Sequence, residues 1–180
     1  MSVKLLKLQW RIFFWTITGR IKKIHSRLEL SLTKGNHKNI LIVFPMDEPT
    51  FRVALYAFRE LGQNDLQKNR FKYIVKEQFR DMFHLHTGTP VFIQNSEHEN
   101  MLSDEKQLLQ TLKNTQYHII IDLNSTFHLG ISRLISILKS EMKVGFRSRF
   151  SDRFYNIQLD ISRSGIMEKG FKQINTMLAQ

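Results

Sequence analysis

The stretch YHIIIDL at residues 117–123 decides the fold of this chain. Three consecutive isoleucines, Ile119–Ile121, stand at its centre, and the polar residues Asp122 and Asn124 follow them. A continuous apolar run without alternation is typical of a strand that is buried on both faces, as in a parallel sheet. We therefore predict a buried strand here, the most strongly indicated in the chain, with Asp122 at its carboxyl end.

Similar runs lie on both sides of this stretch, and helical segments separate them. The run NILIVF at residues 39–44 predicts a second buried strand. Strands that alternate with helices indicate βαβ units. We expect residues 36–180 to form one Rossmann-like α/β domain, with a mostly parallel sheet and helices on both faces. The other predicted strands are 71–75, 90–93, 143–146 and 157–161, and the predicted helices are 50–61, 76–83, 103–112, 126–140 and 165–179.

The first 35 residues differ in composition and hydrophobic pattern from the rest, and we predict a basic amphipathic helix there. The region from Val3 to about Leu32 has no proline and a single glycine. At 100° per residue its apolar residues fall within a sector of about 100°. That stripe is Trp10, Phe13, Phe14, Ile17, Ile21, Ile24 and Leu28, and its basic flanks are Lys4, Lys7, Arg11, Lys22, Lys23 and Arg27.

Charge is concentrated in this helix. The chain has a net charge of +11, and residues 1–34 hold eight Lys or Arg and one acid, a net +7. A basic helix with an aromatic face is typical of binding to an anionic membrane surface. The alternatives are that the stripe packs on the α/β domain or on a larger protein complex; nucleic acid is less favoured because no binding motif is present. The residues predicted for membrane or partner binding are Trp10, Arg11, Phe13, Phe14, Ile17, Ile21, Lys22, Lys23 and Arg27.

Several chemistries are excluded or disfavoured. The chain has no cysteine, which excludes disulfides and thiolate ligands. His84 and His86 lack a third ligand, so we predict no metal site. Neither GxGxxG nor GxxxxGK occurs, and we predict no cofactor and no small-molecule substrate. We expect a cytoplasmic protein, peripheral at the inner face of the membrane.

Three further candidate sites follow from the sequence. Asp47 and Glu48 follow the first strand, where α/β folds place ligand-binding loops; the alternative is that they form an acidic cap on the next helix. Asp122 could bind a ligand at the same edge or hydrogen-bond its own loop. A second basic cluster could bind an anion or form a solvated face. It consists of Lys143, Arg147, Arg149 and Arg153.

Three segments in order resemble the N-terminal domain of the heptosyltransferases, glycosyltransferase family 9. They are NILIV at 39–43, YHIIIDLN at 117–124 and LKSEMKVGF at 138–146, and Phe154-Tyr155-Asn156 follows them. The resemblance implies one half of a two-domain GT-B enzyme whose donor nucleotide-sugar binds mainly in the other, C-terminal domain. Asp47 or Glu48 would then be the catalytic base, and Asp122 an acceptor contact.

Two departures from the family bear on activity. The family's Gly-Asp pair, whose Asp is the catalytic base, falls on Pro49 and Thr50, and threonine cannot act as a carboxylate base at neutral pH. The chain also ends at Gln180, before any donor domain. We therefore expect a non-catalytic binding or scaffolding domain, docked at a membrane surface or in a larger complex. A glycosyltransferase half acting with a partner chain is the alternative, and an RNA- or ribosome-associated protein is a third hypothesis.

Overall fold

In the computed structural model, residues 3–22, 39–61, 70–85, 87–94, 102–103, 105–161 and 166–179 are described. The helices are α1 (Val3–Ile17), α2 (Glu48–Ala57), α3 (Glu105–Lys113), α4 (Leu129–Ile137) and α5 (Met167–Ala179). The strands are β1 (Ile40–Val43), β2 (Phe71–Lys76), β3 (Thr89–Ile93), β4 (Tyr117–Asp122), β5 (Ser140–Phe146) and β6 (Ile157–Leu159). Two short 3₁₀ helices cover Glu77–Met82 and Ser151–Arg153.

The six strands form one parallel sheet in the order β3-β2-β1-β4-β5-β6. The predicted fold class is confirmed, and the most strongly predicted strand, β4, lies inside the sheet, where it pairs with both β1 and β5. The segment predicted as a helix at 76–83 is a 3₁₀ helix instead.

Each strand of the centre buries both of its faces, as the continuous apolar runs predicted. In β1, Leu41 and Val43 belong to one core, while Ile40 and Ile42 belong to the other. The first core also contains side chains from α1, α3 and α4, and the second contains side chains from α2 and α5. The sheet therefore lies between two layers of helices.

Helix α1 is present but shorter than predicted, because it ends at Ile17 instead of continuing to about Leu32. Gly19 follows with φ of 69°, a left-handed conformation that glycine adopts without strain and that terminates helices. The amides of Arg20 and Ile21 both donate to the Trp15 carbonyl, and this closes the turn. The predicted stripe residues Ile24 and Leu28 lie outside the described residues.

Helix α1 contributes to the first core through a face that differs from the predicted stripe. Ile12 and Trp15 are buried there, with Leu8 packed against them. Of the predicted stripe, Ile21 is buried, but it follows the turn at Gly19. Trp10, Phe13, Phe14 and Ile17 are all exposed. None of the described helices has the length and the apolar character required to cross a membrane.

Candidate functional site

The strand order places a crevice at the carboxyl ends of β1 and β4. The chain moves outward from β1 to β3 on one side of the sheet and from β4 to β6 on the other, so the connections diverge at this point. Val43 and Asp122, the last residues of the two strands, are paired in register. Ligands of open α/β sheets bind at such a switch point.

Asn124 ties the loops after β1 and β4 together. Its Oδ1 accepts a hydrogen bond from the backbone amide of Met46 at 2.9 Å, and its Nδ2 donates to the Phe44 carbonyl at 3.5 Å. From β2, Lys76 Nζ donates to the Met46 carbonyl at 3.3 Å. Side chains from both sides of β1, Lys76 on β2 and Asn124 after β4, thus hold the loop after β1.

Asp122 is buried and accepts the hydrogen bonds that hold Asn124 in this position. Only 2% of it is exposed. Its Oδ1 accepts hydrogen bonds from the Asn124 amide at 3.0 Å and from Asn124 Nδ2 at 2.7 Å, and its Oδ2 accepts one from the Tyr155 hydroxyl at 2.5 Å. Burial raises the pKa of the Asp122 carboxyl, and the hydrogen bonds from Tyr155 and Asn124 oppose that rise. Asp122 therefore makes the loop hydrogen bonds that were one of its two predicted roles.

Tyr155 reaches Asp122 because Gly145 leaves room for it. A Cβ atom at Gly145 would lie 2.8 Å from carbons of the Tyr155 ring. The Tyr155 oxygen also lies 3.2 Å from Ser132 Oγ on α4. Burial and the adjacent Asp122 carboxyl hold the pKa of Tyr155 well above its usual value, so this hydroxyl stays protonated.

The two candidate bases after β1 are both exposed. Asp47 is the N-cap of α2, and its Oδ1 accepts a hydrogen bond from the Thr50 amide at 2.9 Å. Glu48 begins the helix and forms an ion pair with Arg52 at 2.8 Å. Pro49 and Thr50, at the positions of the family's Gly-Asp pair, lie in the first turn of α2. The acidic cap anticipated for this position is present.

His128 precedes α4 at the same edge of the sheet. Burial, together with the nearby charge of Lys76, lowers the pKa of His128 to about 4, so the imidazole is neutral at pH 7. Its Nδ1 is buried and makes no hydrogen bond within the described part of the chain. An ammonium and a neutral imidazole therefore accompany the carboxylate of Asp47 at the carboxyl edge.

The second basic cluster is divided between the interior and the surface. Lys143 is buried, where its Nζ donates to the Ser136 carbonyl at 3.2 Å, and burial, with the charge of Lys22, lowers its pKa to about 8. Arg147 forms an ion pair with Asp160 at 2.9 Å, while Arg149 and Arg153 are exposed. The structure therefore does not direct these four cations to one point.

The remaining predicted residues lie on or after α1. Arg11 is half-buried, with its guanidinium 5.9 Å from the centre of the Trp15 ring, and Lys22 is exposed. Lys23 and Arg27 lie outside the described residues. His84 is exposed, and no group of three potential metal-ligating side chains occurs among the residues that the structure describes.

Sequence reasoning did not single out four residues of the crevice: Lys76, Asn124, His128 and Tyr155. A signal existed for Asn124, because it follows a buried strand at the edge where ligand-binding loops lie. Tyr155 was noted only as part of the resemblance, and its contact with Asp122 was not predicted because it joins residues 33 positions apart in the chain.

Comparison with known proteins finds a relative in structure but none in sequence. No protein-family model matches the chain, and no curated protein matches it significantly. The E. coli heptosyltransferase WaaC, solved with ADP, superposes with a TM-score of 0.55 at 18% sequence identity. The match covers 75% of this chain but only 45% of the enzyme, so the chain spans less than half of the enzyme's length. In fold, this chain is similar to one half of that enzyme.

Proposed function

We propose that this chain is the acceptor-binding half of a glycosyltransferase, and that it acts with a donor-binding domain on a partner chain. The proposal rests on the crevice at the carboxyl ends of β1 and β4. There the Asn124 side chain hydrogen-bonds the loop after β1, a contact that we call the Asn124 clamp, and this loop leads to the exposed Asp47 carboxylate. The likeness to one half of WaaC supports the reaction class, and a nucleoside-diphosphate sugar such as an ADP-linked heptose is the corresponding donor.

Asp47 is the better of the two candidate bases. The Asp47 Oδ1 accepts one hydrogen bond, from the neutral Thr50 amide, whereas the Glu48 carboxylate accepts two from the charged Arg52 guanidinium. In this proposal Asp47 removes the proton from the acceptor hydroxyl as that oxygen bonds to the anomeric carbon, and the nucleoside diphosphate leaves with the electron pair. Asp122 is too buried to touch a substrate, and it acts as a positioning residue through Asn124.

The substitution Asp47→Asn tests this role without disturbing the fold. Asparagine caps a helix about as well as aspartate but cannot take up a proton, so α2 should remain intact. We expect transfer from an ADP-linked heptose to endogenous acceptors, measured with the purified chain added to a native extract, to fall by about 100-fold or more. The matched control is Glu60→Gln, which removes an exposed carboxylate after the opposite end of α2. Full activity of Asp47→Asn would remove this residue from the mechanism.

A non-catalytic platform is the second candidate function, and one observation favours it. Large apolar side chains of α1 are exposed, as expected for a docking surface on a membrane or within a larger complex. The transfer assay separates the two functions. If wild type and Asp47→Asn are equally inactive in extracts of every growth condition tested, while the chain still partitions to membranes, the platform is supported and the catalytic proposal fails.

A further inference from the structure

Helix α1 has an apolar outer face in addition to the apolar face that it buries. Of the seven large hydrophobic side chains exposed in the described part of the chain, five lie on this helix. They are Leu6, Trp10, Phe13, Phe14 and Ile17, with exposures from 45% to 67%. We name this set the outer face of α1. A contiguous exposed apolar surface of this kind marks an interaction site.

The opposite side of α1 packs in the core, and this packing keeps the outer face turned outward. Trp15 is 7% exposed, and its ring lies beneath the Arg133 guanidinium at 4.7 Å. Ile12 is 1% exposed, and Ile21, after the turn, is 4% exposed. Burial of the outer face by rotation of the helix would bring Ile12 and Trp15 into water. The outer face is therefore held outward by the packing of the opposite side.

The charges of α1 and its turn identify the chemistry of the partner. Residues 3–22 contain five Lys or Arg and no Asp or Glu. At 100° per residue, Lys7 and Arg11 lie about 60° and 100° from Trp10, on one flank of the outer face. Their long side chains can follow the apolar surface and place the charge at its rim. The surface thus fits a partner that is apolar inside and negatively charged at its boundary.

An anionic lipid bilayer has this profile. Trp10 and Phe13 form an edge-to-face pair with ring centres 6.1 Å apart, and aromatic side chains favour the membrane–water interface. A helix of 15 residues is roughly 22 Å long, less than the roughly 30 Å hydrocarbon layer, so it would lie in the interface plane. We infer that the outer face of α1 inserts in-plane into an anionic bilayer. This inference deepens the second candidate function and is independent of the catalytic role of Asp47.

Vesicle sedimentation of the full chain tests the inference. We expect binding to phosphatidylcholine vesicles with roughly one-third phosphatidylglycerol, and binding about tenfold or more weaker to pure phosphatidylcholine. The double variant Trp10→Ser/Phe13→Ser should lose about tenfold or more in partition coefficient. The matched control is Tyr56→Ser/Ile166→Ser, which removes two exposed apolar side chains outside α1 and should stay within about twofold of wild type.

A charge variant separates insertion from attraction. Lys4→Gln/Lys7→Gln should weaken binding to anionic vesicles by roughly fivefold per lysine, whereas Lys169→Gln/Lys172→Gln on α5 should not. Equal binding by wild type and the Trp10/Phe13 variant would overturn the inference. A dimer in solution that dissociates in that variant would also overturn it, because a second copy would then cover the outer face. Unchanged vesicle binding by Asp47→Asn shows that this inference and the catalytic proposal succeed or fail separately.

Discussion

The two tryptophans of this chain lie five residues apart on the same helix and meet opposite surroundings. Trp15 is 7% exposed and packs in the core, whereas Trp10 is 65% exposed. The same contrast recurs for His128 and His84, which lie in the interior and on the surface, and for Tyr155 and Tyr56. Identical side chains thus have different roles, and their surroundings in the fold decide which role each one has.

The largest effect is expected for the tryptophan pair. Trp15→Ala removes a buried ring from the first core and should lower the free energy of unfolding by about 3–5 kcal/mol. Trp10→Ala should change it by no more than about 0.5 kcal/mol, because the exposed ring contributes little to the core. Urea unfolding measures both. Equal losses would show that the two faces of α1 do not differ as the structure indicates.

The histidine pair sharpens the contrast through pH. The pKa of His128 is about 4 in the folded chain and about 6.5 when unfolded, so the unfolded state binds more protons between these values. His128 therefore does not lower the free energy of unfolding above about pH 6.5. As the pH falls from there through 4, protonation of this group in the unfolded state should lower the free energy of unfolding by about 3 kcal/mol.

The measurement is the difference between unfolding free energies of wild type and His128→Gln across this window. The difference isolates His128 from the carboxylates, which titrate in the same range. His84→Gln controls for the loss of an imidazole from the surface. Parallel curves for wild type and His128→Gln would contradict the burial of this ring.

The tyrosine pair should give the smallest effect of the three. Tyr155→Phe removes the donor to Asp122 Oδ2 and leaves a buried carboxyl oxygen without that partner, at a cost of about 1–3 kcal/mol. Tyr56→Phe should stay within about 0.5 kcal/mol because Tyr56 is 67% exposed. Thermal unfolding of the two variants makes the comparison. If Tyr155→Phe left the unfolding temperature unchanged, the hydroxyl would not stabilise the loop after β4.

Part of the candidate site could be predicted from sequence, because position along a strand determines which edge of the sheet a residue reaches. Asp47 and Asp122 follow strands predicted from continuous apolar runs, and both lie at the carboxyl edge. Asn124 lay within reach of the same reasoning. So did Lys76, which directly follows the predicted strand at 71–75. His128 and Tyr155 did not, because each joins the crevice through a contact between distant parts of the chain.

The outer face of α1 also shows the limit of what could be predicted from sequence. Periodicity identified Trp10, Phe13, Phe14 and Ile17 as one stripe, but a periodic pattern cannot say which side of a helix the fold covers when both sides carry apolar residues. The fold buries the side that carries Ile12 and Trp15, because these two residues pack in the core formed with α3 and α4.

The sequence by itself determined the strands, their parallel arrangement and the α/β class, because runs of β-branched and apolar residues are stable only where both faces of a strand are buried. The strand order, the Asn124 clamp, the burial of Asp122 beneath Tyr155 and the orientation of α1 were decided only in the tertiary structure. The physical reason is that each depends on contacts between residues far apart in the chain, and local propensity contains no information about such contacts.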